Sequence, residues 1–217
     1  MPIETDVLVI GCGIAGAAAA LRLAADRQRQ VLIVTRTADA AESNTRYAQG
    51  GIVGRGDADS VQLLARDALA AGAGLCRPEA VRLLTEEGPD LVQRLLIEEA
   101  GVAFDRDDSG ALLYTLEGGH SVPRVLHVGD ATGQAIEQAL LDRLRELPNV
   151  TLMTSTTAVD LITSPHHSRD PLAVYGPTRC HGAYVLDQQA NRVRRVLAPV
   201  TVLATGGLGR IYRYTTN

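Results

Sequence analysis

The sequence predicts a doubly wound α/β domain with insertions, and three apolar runs carry that prediction. Thr5-Asp6-Val7-Leu8-Val9-Ile10 feeds directly into Gly11-Cys12-Gly13-Ile14-Ala15-Gly16, and an alanine-rich stretch follows. Val31-Leu32-Ile33-Val34 comes next and completes a βαβ unit. Val200-Thr201-Val202-Leu203-Ala204 is a further buried strand and ends in Thr205-Gly206-Gly207. Strands and helices that alternate in this way build a parallel sheet.

Between these runs the elements follow in order. Residues 15–25 read as a helix. Residues 38–56 are polar and irregular. Ser60 is placed as an N-cap for helical spacing over 61–71. Residues 78–100 read as two short helices broken near Gly88-Pro89, with Val81, Leu84, Leu91, Leu95 and Leu96 as core positions. Residues 105–110 form a turn-rich loop, and Glu117-Gly118-Gly119-His120-Ser121 is too glycine-rich for regular structure. Asp130-Ala131-Thr132-Gly133 leads into a helix over about 134–147. Strands are expected at 150–153 and 157–163, and 164–171 is an exposed loop. Residues 179–186 and 193–197 supply strands of a small antiparallel insert.

Composition narrows the function classes. The 217 residues are 46% hydrophobic, enough for a sizeable core. Aromatic residues make up only 3% and the net charge is −4, which argues against a nucleic-acid surface. No apolar run is long enough to span a bilayer, and no signal peptide is read at the start. Cys12, Cys76 and Cys180 show neither metal-ligand spacing nor a disulfide framework, so a cytoplasmic protein without a metal is expected. Asn149-Val150-Thr151 is a glycosylation sequon only by chance on that expectation. His166, His167 and His181 read as surface residues, and His127 as a structural histidine.

The first glycine loop has the context of a dinucleotide site. Gly11 allows the tight turn, Gly13 lets the backbone approach a pyrophosphate, and Gly16 lets the helix pack on the strand. The N–H groups of Cys12, Ile14 and Ala15 then face the phosphates at the positive end of the helix. A nicotinamide site usually places Asp or Glu about twenty residues further on. Here the second strand ends in Thr35-Arg36, and Arg36 would suit a 2′-phosphate, which leaves an NADPH-dependent reductase open at this point.

Two further segments point to a flavin. Ala198 to Gly207 resembles the threonine–apolar–ATG segment of FAD proteins. Ser43-Asn44-Thr45-Arg46-Tyr47-Ala48-Gln49-Gly50-Gly51 resembles the Ser-x-x-x-x-Ala-Gln-Gly-Gly loop of the succinate dehydrogenase and fumarate reductase flavoprotein family. The resemblance extends along the whole chain. It implies a Rossmann-like FAD-binding domain with a helical and loop excursion and a small antiparallel β insert. The implied core is 1–56, 120–155 and 198–217, and the insert is about 157–197. It also implies FAD contacts from the glycine loop (11–16), Arg36, Asn44 through Gly51, Thr157-Ala158 and Ala204-Thr205-Gly206. Gly50 and Gly51 would let the backbone lie close to the flavin ring, and Thr45 and Gln49 would bond its polar edge or the phosphates.

Within the family the chain looks like the L-aspartate oxidase branch. Asn44 stands where the dehydrogenases carry the histidine that bonds to FAD, so non-covalent FAD is implied. Glu117 and His120, followed by Arg124 and His127, replace a phenylalanine and a glutamine of the dehydrogenases at the first two positions. A carboxylate at Glu117 suits a substrate ammonium, which succinate lacks. The implied reaction oxidises L-aspartate to iminoaspartate, with dioxygen or fumarate as acceptor, in the first step of quinolinate and NAD biosynthesis. Quinolinate synthase is then the implied partner. The family continues beyond Asn217 with a capping domain that carries the proton-transfer arginine, so these 217 residues alone are expected to be inactive. Two alternatives are a fumarate reductase or succinate dehydrogenase-type flavoprotein, and a non-catalytic flavin-binding module.

Overall fold

The computed structural model describes residues 1–166 and 168–215. His167 and Thr216–Asn217 lie outside them, so the surface reading of His167 has no structural counterpart. In chain order the elements are β1 (Ile3–Glu4), β2 (Val7–Ile10), α1 (Ile14–Ala24), β3 (Val31–Val34), β4 (Ile52–Val53), α2 (Val61–Ala71) and α3 (Pro78–Leu91). They continue with β5 (Tyr114–Thr115), β6 (Val125–Leu126), α4 (Thr132–Arg145), β7 (Val150–Met153), β8 (Thr156–Ser164), β9 (Arg179–Asp187), β10 (Arg192–Leu197) and β11 (Val200–Leu203). The chain divides into two compact units, 1–45 with 140–217, and 46–139.

The first unit is built on a parallel sheet of order β11-β2-β3-β7, with Leu8 paired to both Leu32 and Thr201. Every side chain of β2 and β3 is buried, which is why both read as unbroken apolar runs. The parallel step from β2 to β3 needs a crossover, and α1 supplies it. That helix packs on β2 and β3 through Gly16, Ala17, Ala20, Leu21 and Ala24, a face kept small so that helix and sheet come close. On the other face, Leu8, Ile10, Leu32 and Val34 pack against Ala183, Val185, Val196 and Ala198 of the second sheet.

That second sheet has the order β1-β10-β9-β8. The β insert is therefore the second covering layer of the parallel sheet. Its first strand, β1, pairs in parallel with β10 and is separated from β2 by Thr5-Asp6. The sequence reading, whose first run starts at Thr5, has no strand at Ile3–Glu4. Asn149 is also fixed here: its Nδ2 donates to the carbonyls of Ala24 (3.0 Å), Asp26 (3.1 Å) and Arg29 (2.9 Å). It closes the turn after α1 and is only 4% exposed.

The second unit holds a small antiparallel sheet of order β4-β6-β5. Ser60 caps α2 by accepting from the Leu63 N–H at 3.1 Å. The break expected near Gly88-Pro89 does not occur, because α3 runs through Pro89 and continues as a π-helical stretch over Val92–Glu99. Pro89 has no N–H for the carbonyl of Thr85, four residues earlier. The Arg55 guanidinium donates to that carbonyl instead, at 3.3 Å. Val81, Thr85, Pro89, Val92, Leu95 and Leu96 are buried, whereas Leu84 (63% exposed) and Leu91 (41%) are not core residues.

Candidate functional site

A cavity of about 650 Å³ opens at the C-terminal ends of the parallel strands in the first unit. Its lining comes from residues 10–15, 34–36, 42–45, 156–158 and 203–207. In open parallel sheets this is where ligands bind. A second depression of about 670 Å³ lies at the opposite end of β2, beside Glu4, Asp6, Gln30 and His181. It is an open trough that contains no part of the glycine loop.

The loop geometry explains its glycines. Gly11 sits at φ +105°, and a Cβ there would lie 2.1 Å from the Ala204 carbonyl oxygen. No side chain fits that position, because β2 and β11 converge there. A Cβ on Gly16 would meet the Gly11 carbonyl at 2.1 Å, so the helix lies directly on the loop. Gly13 is the extended N-cap of α1 and makes no side-chain cap, so the first N–H groups need acceptors from elsewhere. Thr45 supplies one, accepting from the Ile14 N–H at 3.0 Å. Ala15 and Gly16, in the same first turn, have no intrahelical acceptor by geometry. A bare loop, helix N–H groups and the positive helix end together form a seat for a pyrophosphate, and the residues present fit a dinucleotide.

The walls come from residues distant in sequence. Gln188 Nε2 donates to the Arg36 carbonyl and to Thr157 Oγ1, both at 2.8 Å, and so ties the exit of β3 to the start of β8. Sequence reasoning missed Gln188, since a glutamine in a hairpin turn carries no pattern. It also missed Glu42, which brings a carboxylate to the lining that Arg36 shares. Cys12, Asn44, Thr45, Thr157, Ala158, Ala204, Thr205 and Gly206 all reach this cavity.

Residues 46–51 of the same loop belong to the second unit and are absent from the lining. Their chemistry differs from residue to residue. The Ala48 carbonyl accepts from the Gly133 N–H at 2.9 Å. Gly50 has open space around it, but a Cβ on Gly51 would strike Val125 Cγ1 at 2.3 Å and the Leu126 carbonyl at 2.4 Å. The missing side chain of Gly51 is thus required by β6, whereas only Gly50 presents a bare face.

The second unit contains a buried charge cluster. Arg124 is fully buried, and its Nε and Nη2 donate to the two oxygens of Asp59 at 3.0 and 2.8 Å. Its Nη1 donates to Asp67 Oδ2 at 2.6 Å and to His120 Nδ1 at 2.9 Å. A guanidinium only donates, so His120 accepts through Nδ1 and carries its proton on Nε2. Asp67 also accepts from the Ser121 N–H and hydroxyl at 2.9 and 2.8 Å. The Arg124 bond first, and the two Ser121 bonds next, hold the Asp67 carboxyl far below the usual carboxylate range. Burial pulls the Arg124 pKa down, but the bonds to Asp59 and Asp67 outweigh it and the net shift is upward. The contribution of Asp67 to stability is therefore fully present above the ordinary carboxylate pKa and is lost as pH falls toward its lowered value.

This cluster anchors the segment that carries Glu117. The Glu117 side chain is 43% exposed, with Oε1 3.4 Å from His127 Nε2. His127 is therefore in contact with the candidate substrate residue, which the sequence reading did not anticipate.

The profile of the FAD binding domain family matches residues 6–217. L-Aspartate oxidase 1 of Ralstonia nicotianae is 43% identical over 98% of this chain, and the chloroplastic L-aspartate oxidase of Arabidopsis thaliana is 41% identical over 98%. The chain spans 38% and 31% of the lengths of these two relatives. Among solved structures, the Mycobacterium smegmatis Sdh1 complex with UQ1 aligns with a TM-score of 0.83 at 28% identity, covering 99% of this chain and 36% of that one. Quinol fumarate reductase of E. coli aligns at 0.86 and 23% identity, over 98% of this chain and 34% of that one, and shows the shared fold. With its glycine loop seated at the mouth of a parallel sheet, the chain belongs to the FAD-binding domain family, and FAD is its cofactor.

Proposed function

We propose that this chain is the cofactor-binding part of an enzyme that oxidises L-aspartate to iminoaspartate, with dioxygen or fumarate as the final acceptor. The observation that carries the reading is Glu117, a half-exposed carboxylate on a glycine-rich segment. A substrate ammonium needs such a partner, and a plain dicarboxylate does not. The likeness to L-aspartate oxidases over nearly the whole chain supports it.

Bound FAD supplies the acceptor for the hydride that leaves the substrate α-carbon. The chain's own residues bind and orient. The first turn of α1 and the loop at Gly11–Gly16 hold the pyrophosphate, Arg36 and Glu42 flank the nucleoside end, and Thr45 braces the loop against α1. Asn44 lines the cavity with a carboxamide that cannot form the histidyl link, so the flavin is held without a covalent bond. Glu117 holds the substrate ammonium, and the Nε2–H of His120, fixed by Arg124, is a ready donor for an anionic group. The product imine is consumed by a quinolinate synthase, and Cys12, Cys76 and Cys180, not joined in disulfides, suit a reducing cytoplasm.

The test is anaerobic mixing of the flavin-loaded protein with L-aspartate and, separately, with succinate, followed by flavin absorbance. Bleaching by aspartate alone is expected. Bleaching by succinate alone overturns the reading in favour of a dehydrogenase. Acid precipitation should release free FAD, and flavin retained on the protein overturns the role given to Asn44.

A further inference from the structure

Three successive carbonyls at the exit of β3 are each held by a donor from another part of the chain. Those of Thr35 and Thr37 accept from the backbone N–H groups of Thr156 (2.8 Å) and Ser155 (2.9 Å), at the junction of β7 and β8. The Arg36 carbonyl between them accepts from a side chain, Nε2 of Gln188, at 2.8 Å. A carbonyl oxygen only accepts, so the amide nitrogen of Gln188 faces it, and the second hydrogen of that nitrogen goes to Thr157 Oγ1 at 2.8 Å. Each of the two hydrogens thus has one acceptor. The Gln188 N–H donates to the Ser155 carbonyl at 2.9 Å, so the turn between β9 and β10 that carries the glutamine is tied to the same place. Thr157 accepts in this pair and keeps its own hydroxyl hydrogen for another acceptor. Arg36 and Thr157 both line the cavity of the glycine loop, and Gln188 stands behind them, outside the lining.

In a doubly wound sheet the pyrophosphate lies on the glycine loop, and the ribose of the adenosine lies at the end of the second strand of the βαβ unit, here β3. We propose that Gln188 is a positioning residue for the adenosine half of FAD: by bridging the Arg36 carbonyl and the Thr157 hydroxyl it sets the spacing of the two walls between which that half binds. Gln188 itself touches no cofactor. It holds both walls in place before the cofactor arrives, which spares their ordering on binding. This role depends on FAD as the cofactor and not on the reading of Glu117.

The experiment strips the protein of its flavin and titrates it calorimetrically with FAD and, separately, with ADP, which has the adenosine half and no flavin. Gln188→Met removes the donors at similar side-chain length. It should raise both dissociation constants by the same factor, about 3- to 10-fold, the range of one net hydrogen bond. The adenosine half is identical in oxidised and reduced FAD, so the midpoint potential and visible spectrum of the reloaded flavin should stay at their wild-type values. Thr157→Val should act in the same direction as Gln188→Met, and Thr157→Ser, which keeps the hydroxyl, should leave both constants at wild type. These two variants serve if Gln188→Met does not fold. Gln189→Met, at the exposed neighbour in the same turn, should change nothing. The proposal is overturned if Gln188→Met leaves the ADP constant unchanged, if it moves the flavin potential along with the FAD constant, or if Gln189→Met has the same effect. Failure of ADP to bind the wild-type protein at millimolar concentration overturns the placement of the adenosine half itself.

Discussion

In the unit formed by 1–45 and 140–217 the centre is apolar: eight consecutive-strand positions on β2 and β3 are buried, with alanines above and small aliphatic residues below. The unit formed by 46–139 also buries apolar residues such as Leu64, Leu95, Phe104 and Leu126, but it encloses in addition a guanidinium, that of Arg124, paired with Asp59 and Asp67. An apolar layer tolerates exchange of one aliphatic residue for another. A buried ion cluster does not, because each partner removed leaves a desolvated charge behind. The unit that carries Glu117 thus adds a few specific charge pairings to its apolar core, while the core of the other unit rests on apolar area.

Three substitutions test that contrast. Arg124→Met leaves Asp59 and Asp67 without their cation and should cost about 3–5 kcal/mol, read as a lowered denaturant midpoint. Adding Asp59→Asn and Asp67→Asn should recover part of the loss, since the uncompensated charge goes with them. If Arg124→Met costs no more than a surface substitution, the cluster is not the anchor of its unit. Gly11→Ala forces a Cβ against the Ala204 carbonyl in a backbone conformation unfavourable to alanine, and should cost about 2–4 kcal/mol. It should also weaken FAD retention on gel filtration. A Gly11→Ala variant that keeps both stability and flavin would show that the loop relaxes more freely than the junction of β2 and β11 allows. Asn149→Ala strips one donor group from three carbonyls and should cost about 1–3 kcal/mol, with faster hydrogen exchange at the turn after α1. Exchange confined to that turn would show that the apolar layers hold without it.

The cofactor-binding unit was largely legible in the sequence. Val7–Ile10, Val31–Val34 and Val200–Leu203 are short, predominantly apolar and flanked by loop residues, so their limits follow from the residues themselves. The second unit was not. Arg124 finds its partners 65 and 57 residues away, a distance that no local period reports. Leu84 and Leu91 were placed in the core by their apolar character, but the buried stripe of α3 runs through Val81, Thr85 and Pro89 at four-residue spacing and leaves both leucines outside it. Gly51 was read as facing a ligand, whereas its bare side meets Val125 and Leu126, a contact set by strand pairing. Among the candidate site residues, those on the loop at Gly11 and on the strand ends come together in one cavity. The nearness of Glu117 to His127 follows from the pairing of Thr115 with Val125, which the sequence does not display.

Asn149 has a consequence for how the protein can be made. The Asn149-Val150-Thr151 sequon would be accepted by an oligosaccharyltransferase while the chain is still unfolded, yet the folded state needs that same amide nitrogen for three carbonyls in a closed turn. A glycan attached there occupies the nitrogen and cannot be housed behind α1. A chain routed through a secretory compartment would then be trapped short of its native state, and production belongs in hosts that fold it in the cytosol.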